Sequence, residues 1–266
     1  MNHLTNLFKL MELTRSQPQY GYALAGIQQD ELSNLAEHHY LVTFAAWQIA
    51  SNLKKAGAKI DVQKVLEFCL IHDLGELLGG DISMPYARAN PKAKEHAKAF
   101  EEENQRFLSR FFGGQSEHFK ELGHEILNAK SDEAIVAKVA DYVEVTHYKQ
   151  YVKVFSKFDT DLIKPKLTSM IKKVKDPVAK KELTKFTNNW VKDFLINTYW
   201  DFPDERIGTG DKLILKRVAR NAARKYVPYF DNNFIDNSDI VRLMAGEIRE
   251  RMEEFGYKAR KMKYVK

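Results

Sequence analysis

Apolar residues recur three and four positions apart through most of this chain, and nowhere do apolar and polar residues alternate for long. Half-buried strands need that alternation, and short hairpins favour Asn-Gly or Asp-Gly, neither of which occurs. The pattern therefore predicts an all-α protein. The punctuation marks out its helices. MNHLTNLFKLMELTR at the N-terminus reads as a short amphipathic helix. Residues 34–56 carry an apolar face through Leu35, Val42, Ala45, Ile49 and Leu53 and stop at Gly57. Asp61 can cap a helix with Val62, Val65, Leu66 and Cys69 on one face. Asn90-Pro91 opens another, which Gly113-Gly114 ends after an aromatic-rich turn. Ser131, followed by Asp132 and Glu133, starts a helix reaching about Phe155. Asp176-Pro177 starts one reaching about Trp200, and residues 201–210 read as a turn-rich loop. A further helix is expected from Asp211 to before Pro228, and a last one from Ser238 to Gly256, followed by a basic tail.

With 44% hydrophobic residues the chain can bury a substantial core. No apolar run approaches the roughly 18 residues that cross a bilayer, so no membrane partner is expected. The N-terminus lacks the pattern of a secretory signal. The single cysteine, Cys69, lies in an apolar stretch and cannot form an internal disulfide. A cytoplasmic setting is the corresponding expectation. Charge is uneven. Residues 1–150 hold 16 Lys and Arg against 20 Asp and Glu, whereas residues 151–266 hold 26 against 16. Lys-rich helices often have merely solvated faces, but a basic half also suits a polyanion, a nucleotide or a nucleic acid. No Gly/Ser linker separates the halves. Residues 1–155 are expected as one domain and residues 156–266 as a basic helical extension packed on it.

The segment IHDLGELLGGD, residues 71–81, carries the chemistry. His72 and Asp73 follow Cys69 by three and four residues, which places both over the apolar face of their helix. An imidazole and a carboxylate buried side by side need compensation, and a divalent cation provides it. His38 lies on the inward stripe 38, 42, 45, 49, and Asp141 on an apolar helical face between Ala137 and Val145. The neighbouring His39 is the alternative first ligand if the register differs by one residue, although the stripe favours His38. Four N and O ligands from three helices suit an open octahedral site, hence Mn²⁺, Co²⁺, Fe²⁺ or Mg²⁺ rather than a thiolate-bound zinc. Gly79-Gly80 is not followed by Gly-Lys-Ser/Thr, so it is no P-loop. It can instead turn the backbone so that Asp81 reaches the site.

The ordered set Arg15, Glu37-His38, His72-Asp73-Leu74-Gly75-Glu76, Gly80-Asp81 and Lys138-Val139-Ala140-Asp141 resembles the HD superfamily of metal-dependent phosphohydrolases, and within it the 5′-deoxynucleotidases. The likeness covers about residues 3–155. It implies an HD-domain helical bundle, metal held by His38, His72, Asp73 and Asp141, and catalytic acids Glu76 and Asp81 positioning or deprotonating the attacking water. It further implies that Arg15, with Asp81, binds substrate, the guanidinium clamping the phosphate. Cyclic-dinucleotide phosphodiesterases of this superfamily resemble HDxGK and triphosphohydrolases often HDxGH; Glu76 stands at that position here. The expected activity is hydrolysis of a (deoxy)nucleoside 5′-monophosphate by a homodimer. The alternatives are a nucleoside triphosphate or phosphodiester hydrolase, and a nucleotide-binding module without turnover.

Overall fold

Nine helices account for most of the chain that the computed structural model describes, residues 3–25, 27, 32–152 and 157–198. They are α1 (His3–Met11), α2 (Leu35–Lys55), α3 (Val62–Ile71), α4 (Met84–Ala89), α5 (Pro91–Leu108), α6 (Ser116–Asn128), α7 (Asp132–Tyr151), α8 (Lys157–Lys172) and α9 (Pro177–Thr198). Short 3-10 segments cover 12–15, 20–25, 74–78 and 109–115. Among the described residues there is no strand; one isolated bridge joins Pro18 and Asn34. The helices expected from Asp211 and Ser238 lie outside the described residues, as do the loop at 201–210 and the basic tail.

The helix starts follow from their caps. The side chains of Asn34, Asp61, Asn90 and Ser131 accept hydrogen bonds from the backbone N–H of Glu37, Lys64, Ala93 and Ala134 respectively. Each satisfies a donor that the first turn leaves without a partner. Asp176 does the same for Ala179 at the start of α9. At the far end of α2 the chain turns at Gly57, whose φ is +94°, a conformation that costs glycine little.

Helices α2, α3 and α7 pack against one another as the inner layer. Their facing residues include Leu35, Val42, Ala46, Ala50, Val65, Phe68, Cys69, Val136, Val139 and Ala140, each fully buried. The buried stripe of α2 runs Leu35, His38, His39, Val42, Ala46, Ala50, Leu53. From His38 it runs in steps of four through Val42, Ala46 and Ala50, so Ala45 and Ile49, expected inward after a three-residue step from Val42, stand only half-buried at its edge. Helix α6 packs on α3, α5 and α7, and α5 on the 3-10 segment 74–78.

Packing continues beyond residue 155. Helix α8 lies on α7, and Ile163, Leu167, Ile171, Val174, Ala179 and Leu183 are buried. Helix α8 itself has no expectation in the sequence, and it holds Pro165 in its interior. The turn between α8 and α9 is tied to the first turn of α7. Asp132 accepts the backbone N–H groups of Lys175 at 2.8 Å and Asp176 at 2.7 Å. By its contacts the chain forms two units, residues 1–189 and 190–266. Among the described helices none is long and apolar enough to cross a membrane.

Candidate metal centre

Helix α3 ends one residue before the His-Asp pair. His72 is its C-terminal cap, and Asp73 leaves helical geometry at φ −114°, ψ 12°, before the 3-10 segment begins. The break swings the Asp73 carboxylate beside the imidazole that precedes it. His72 and His38, 2% and 0% exposed, meet from α3 and α2 with their Nε2 atoms 3.0 Å apart. Asp73 Oδ2 lies 3.4 Å from both nitrogens. From α7, Asp141 Oδ1 lies 3.5 Å from His38 Nε2 and 3.9 Å from His72 Nε2. The imidazoles form the dry floor, while the Asp73 and Asp141 side chains are 18% and 21% exposed and open the group to one side.

Both imidazoles have their other nitrogen engaged by an acceptor. His72 Nδ1 donates to the Cys69 carbonyl at 2.9 Å, and His38 Nδ1 donates to Glu144 Oε2 at 2.7 Å. Neutral rings so held bring two bare Nε2 lone pairs face to face, with carboxylate oxygens beside them. That is a repulsive arrangement unless positive charge, a proton or a metal cation, stands among them. Two imidazole nitrogens at right angles, each about 2.1 Å from one ion, stand about 3.0 Å apart, which is the spacing here. His38, His72 and Asp73 each offer a ligand atom within 4.8 Å of the others, and Asp141 adds an oxygen. Two nitrogens and two oxygens without a thiolate fit a borderline or hard divalent ion.

The electrostatics agree. Burial works to lower the His38 imidazole, but hydrogen bonds that it donates to the Asp73 and Glu144 carboxylates hold it well above the ordinary histidine value. Burial keeps His72 below it. Burial opposes charge on Asp73 too, yet His72, His38 and Lys138 hold its carboxyl well below the usual range. The group is built to surround positive charge. His39 faces the same core with its ring centroid 4.8 Å from that of His72. Burial and the neighbouring His72 push it down to about 3, and its Nε2 has no hydrogen-bond partner on the protein. The ring that enters the cluster is that of His38.

Glu76, in the 3-10 segment, is raised well above the ordinary carboxyl value by burial and then by Asp73, Asp81 and Glu101. Asp81 is raised by burial, against the hydrogen bond it accepts from the Gly21 backbone N–H. A Cβ at Gly21 would lie 2.8 Å from Asp81 Oδ1, so any larger residue there would displace the carboxylate. Arg15 is not brought into the group. Its side chain is 72% exposed, and Nε donates to Glu12 Oε2 at 2.8 Å.

Several residues at the site were given no role from the sequence. Glu144 binds His38 from three residues beyond Asp141. Lys138, quoted only as part of a motif, places Nζ 3.4 Å from Asp141 Oδ2. On α5, Glu101 is raised to about 7 by burial and by Asp73, although it opens a run of three glutamates that looks like a solvated face. Asn104, 6% exposed, donates to the carbonyls of Gly75 at 2.7 Å and Gly79 at 3.4 Å and so ties down the turn after Asp73. Glu144 had one available cue, an acid one turn from another acid on an apolar helix. Asn104 had none, since its partner is a backbone carbonyl 29 residues away.

The comparisons with known proteins meet this geometry. A family described as the HD domain matches residues 12–183. A 5′-deoxynucleotidase of Vibrio vulnificus is 31% identical over 114 residues, covering 41% of this chain and 57% of that protein. The chain thus matches somewhat over half the length of that curated relative. Among solved structures, a Pyrococcus horikoshii protein superposes with a TM-score of 0.52 at 22% identity, over 71% of this chain and 98% of that one, a likeness of fold. With the family match spanning most of the described helices and all four residues of the cluster, the chain belongs to the HD-domain family.

Proposed function

We propose that the protein is a metal-dependent phosphohydrolase that releases phosphate from a (deoxy)nucleoside 5′-monophosphate. The observation that carries this reading is the pair of Nε2 atoms 3.0 Å apart, each ring fixed through Nδ1, with Asp73 and Asp141 oxygens beside them. The relative's name as a 5′-deoxynucleotidase supports the substrate class. In this reading His38, His72, Asp73 and Asp141 hold a divalent ion of the Mn²⁺, Co²⁺, Fe²⁺ or Mg²⁺ group. Such an ion supplies Lewis acidity to a phosphoryl oxygen and lowers the pKa of a water molecule.

The chain's own residues divide the remaining work. Glu76, its carboxyl raised above the ordinary value by burial among acids, exchanges a proton with the attacking water, as a general base or acid does. Asp81, tethered to the Gly21 N–H, orients the attacking water. Lys138 stays cationic, because Asp141 and Asp73 outweigh its burial, and so offsets negative charge that develops at phosphorus. Arg15, exposed on Glu12, is free to exchange that partner for a phosphate and clamp it bidentately. A homodimer and a cytoplasmic setting belong to the same reading.

The test is phosphate release from a panel of nucleoside 5′-monophosphates with added Mn²⁺ or Co²⁺, comparing wild type with Asp73→Ala. Metal-stimulated release that Asp73→Ala abolishes is the expected result. Absence of release from every phosphorylated compound tried refutes the reading. The basic composition of residues 151–266 favours a second reading, hydrolysis of a triphosphate or a phosphodiester, since longer polyanions gain more from basic surface. Product analysis separates the two: inorganic phosphate, triphosphate or a cleaved strand.

A further inference from the structure

Helix α7 does more than deliver Asp141. Glu144 follows Asp141 by three residues and therefore rises on the same side of the helix. It is 7% exposed, and a carboxylate is rarely so buried without a partner. Its partner is His38 Nδ1 at 2.7 Å, 106 residues earlier in the chain. One turn before Asp141, Lys138 Nζ sits 3.4 Å from Asp141 Oδ2, while Oδ1 lies 3.5 Å from His38 Nε2. Three orientations are thus fixed by three different groups: His38 by Glu144, His72 by the Cys69 carbonyl, and Asp141 by Lys138.

We propose that Glu144 is a positioning residue of the metal centre, accepting the His38 Nδ1–H so that Nε2 is bare and aimed at the ion, while Lys138 turns Asp141 Oδ1 toward the same point. A carboxylate behind a ligating imidazole fixes its tautomer and raises its basicity. One helix therefore sets the orientation of ligands from α2 and α7 together.

The inference rests on the metal-centre reading above, and the test keeps the two apart. The full chain is stripped with chelator, and Mn²⁺ affinity is measured by calorimetry for wild type, Glu144→Gln and Glu144→Met. The His38 ring nitrogens are followed by ¹⁵N NMR with Zn²⁺ as a diamagnetic stand-in. Glu144→Met removes the acceptor at similar volume and is expected to weaken binding about 10–100-fold. Glu144→Gln keeps an acceptor oxygen without the charge and should lose less. Wild-type His38 should show a protonated Nδ1 and a metallated Nε2, a signature that a purely structural ion pair would not produce. A folded Glu144→Met that holds Mn²⁺ as tightly as wild type overturns the proposal, and so does metallation at Nδ1. If Glu144→Met does not fold, the Glu144→Gln affinity and the wild-type NMR decide it. Wild-type protein that binds none of these ions overturns both this inference and the proposed function. Binding that is indifferent to Glu144 overturns this inference alone.

Discussion

Gly75 is the residue of the His72–Glu76 motif whose replacement has the most readable consequence. It lies in the 3-10 segment against α5, and a Cβ there would overlap Glu101 Cγ and stand 2.9 Å from the Glu101 carbonyl oxygen. The Glu101 side chain can yield, but its backbone, inside α5, cannot without moving the helix. The turn must therefore lift, and with it goes the 2.7 Å hydrogen bond from Asn104 to the Gly75 carbonyl. Overpacking costs about 1–3 kcal/mol, and the hydrogen bond adds about 0.5–1.5 kcal/mol. Gly75→Ala is then expected to lose about 2–4 kcal/mol, a shift of about 1–2 M in the urea midpoint at an ordinary slope. Two other glycines separate the possible causes. Gly114 has nothing within 4 Å of a Cβ, so Gly114→Ala should stay within about 0.5 kcal/mol of wild type. Gly79 has equally open surroundings but a φ of +102°, so Gly79→Ala should cost about 1–3 kcal/mol from backbone conformation alone. The assay is equilibrium urea denaturation of chelated protein, followed by circular dichroism. A Gly75→Ala midpoint equal to that of wild type, or a loss of the same size at Gly114, refutes the reasoning.

Gly21→Ala should push the Asp81 carboxylate away from its backbone N–H; under the proposed function kcat/KM falls by more than about tenfold with little change in urea midpoint, and unchanged turnover would count against a role for Asp81. Cys69 is fully buried and its thiol is pushed up to about 12 by that burial, so thiol reagents should label it only in denaturant; rapid labelling of native protein would contradict the packing of α3. Burial holds His147 down to about 4, against about 6.5 in an unfolded chain. Its contribution to stability is therefore complete above about pH 6.5 and is lost as pH falls toward 4, by up to about 3 kcal/mol. His147→Gln should flatten that part of the curve of urea midpoint against pH, and an unaltered slope would refute the assignment.

What the sequence discloses about this fold follows from the range over which each signal acts. Asn34, Asp61, Asn90, Ser131 and Asp176 cap helices through hydrogen bonds three residues away, so helix starts are written locally. Of these, all but Asn34 are legible from residue types and their neighbours alone. His38, His72 and Asp141 share the property that a polar residue interrupts an otherwise apolar helical face, and periodicity alone exposes it. Helix α8 escaped because Pro165 stands in its interior, where local rules expect a break. The break in helical geometry at Asp73, ahead of the 3-10 segment, is a second departure from periodicity: it is what lets two adjacent side chains, which on a continued helix would diverge by about 100°, point at one centre. The residues that hold the site in place are different again. Asn104 acts on a carbonyl, Gly21 on a carboxylate 60 residues away, and Glu144 on a ring 106 residues away, and none of these pairings has a period or a spacing. A helix propensity can place Glu144 on the inward side of α7, but only the crossing of α7 with α2 decides that an imidazole waits there. The residues of such a cluster are therefore legible along the chain, whereas the groups that orient them become visible only when the helices are packed.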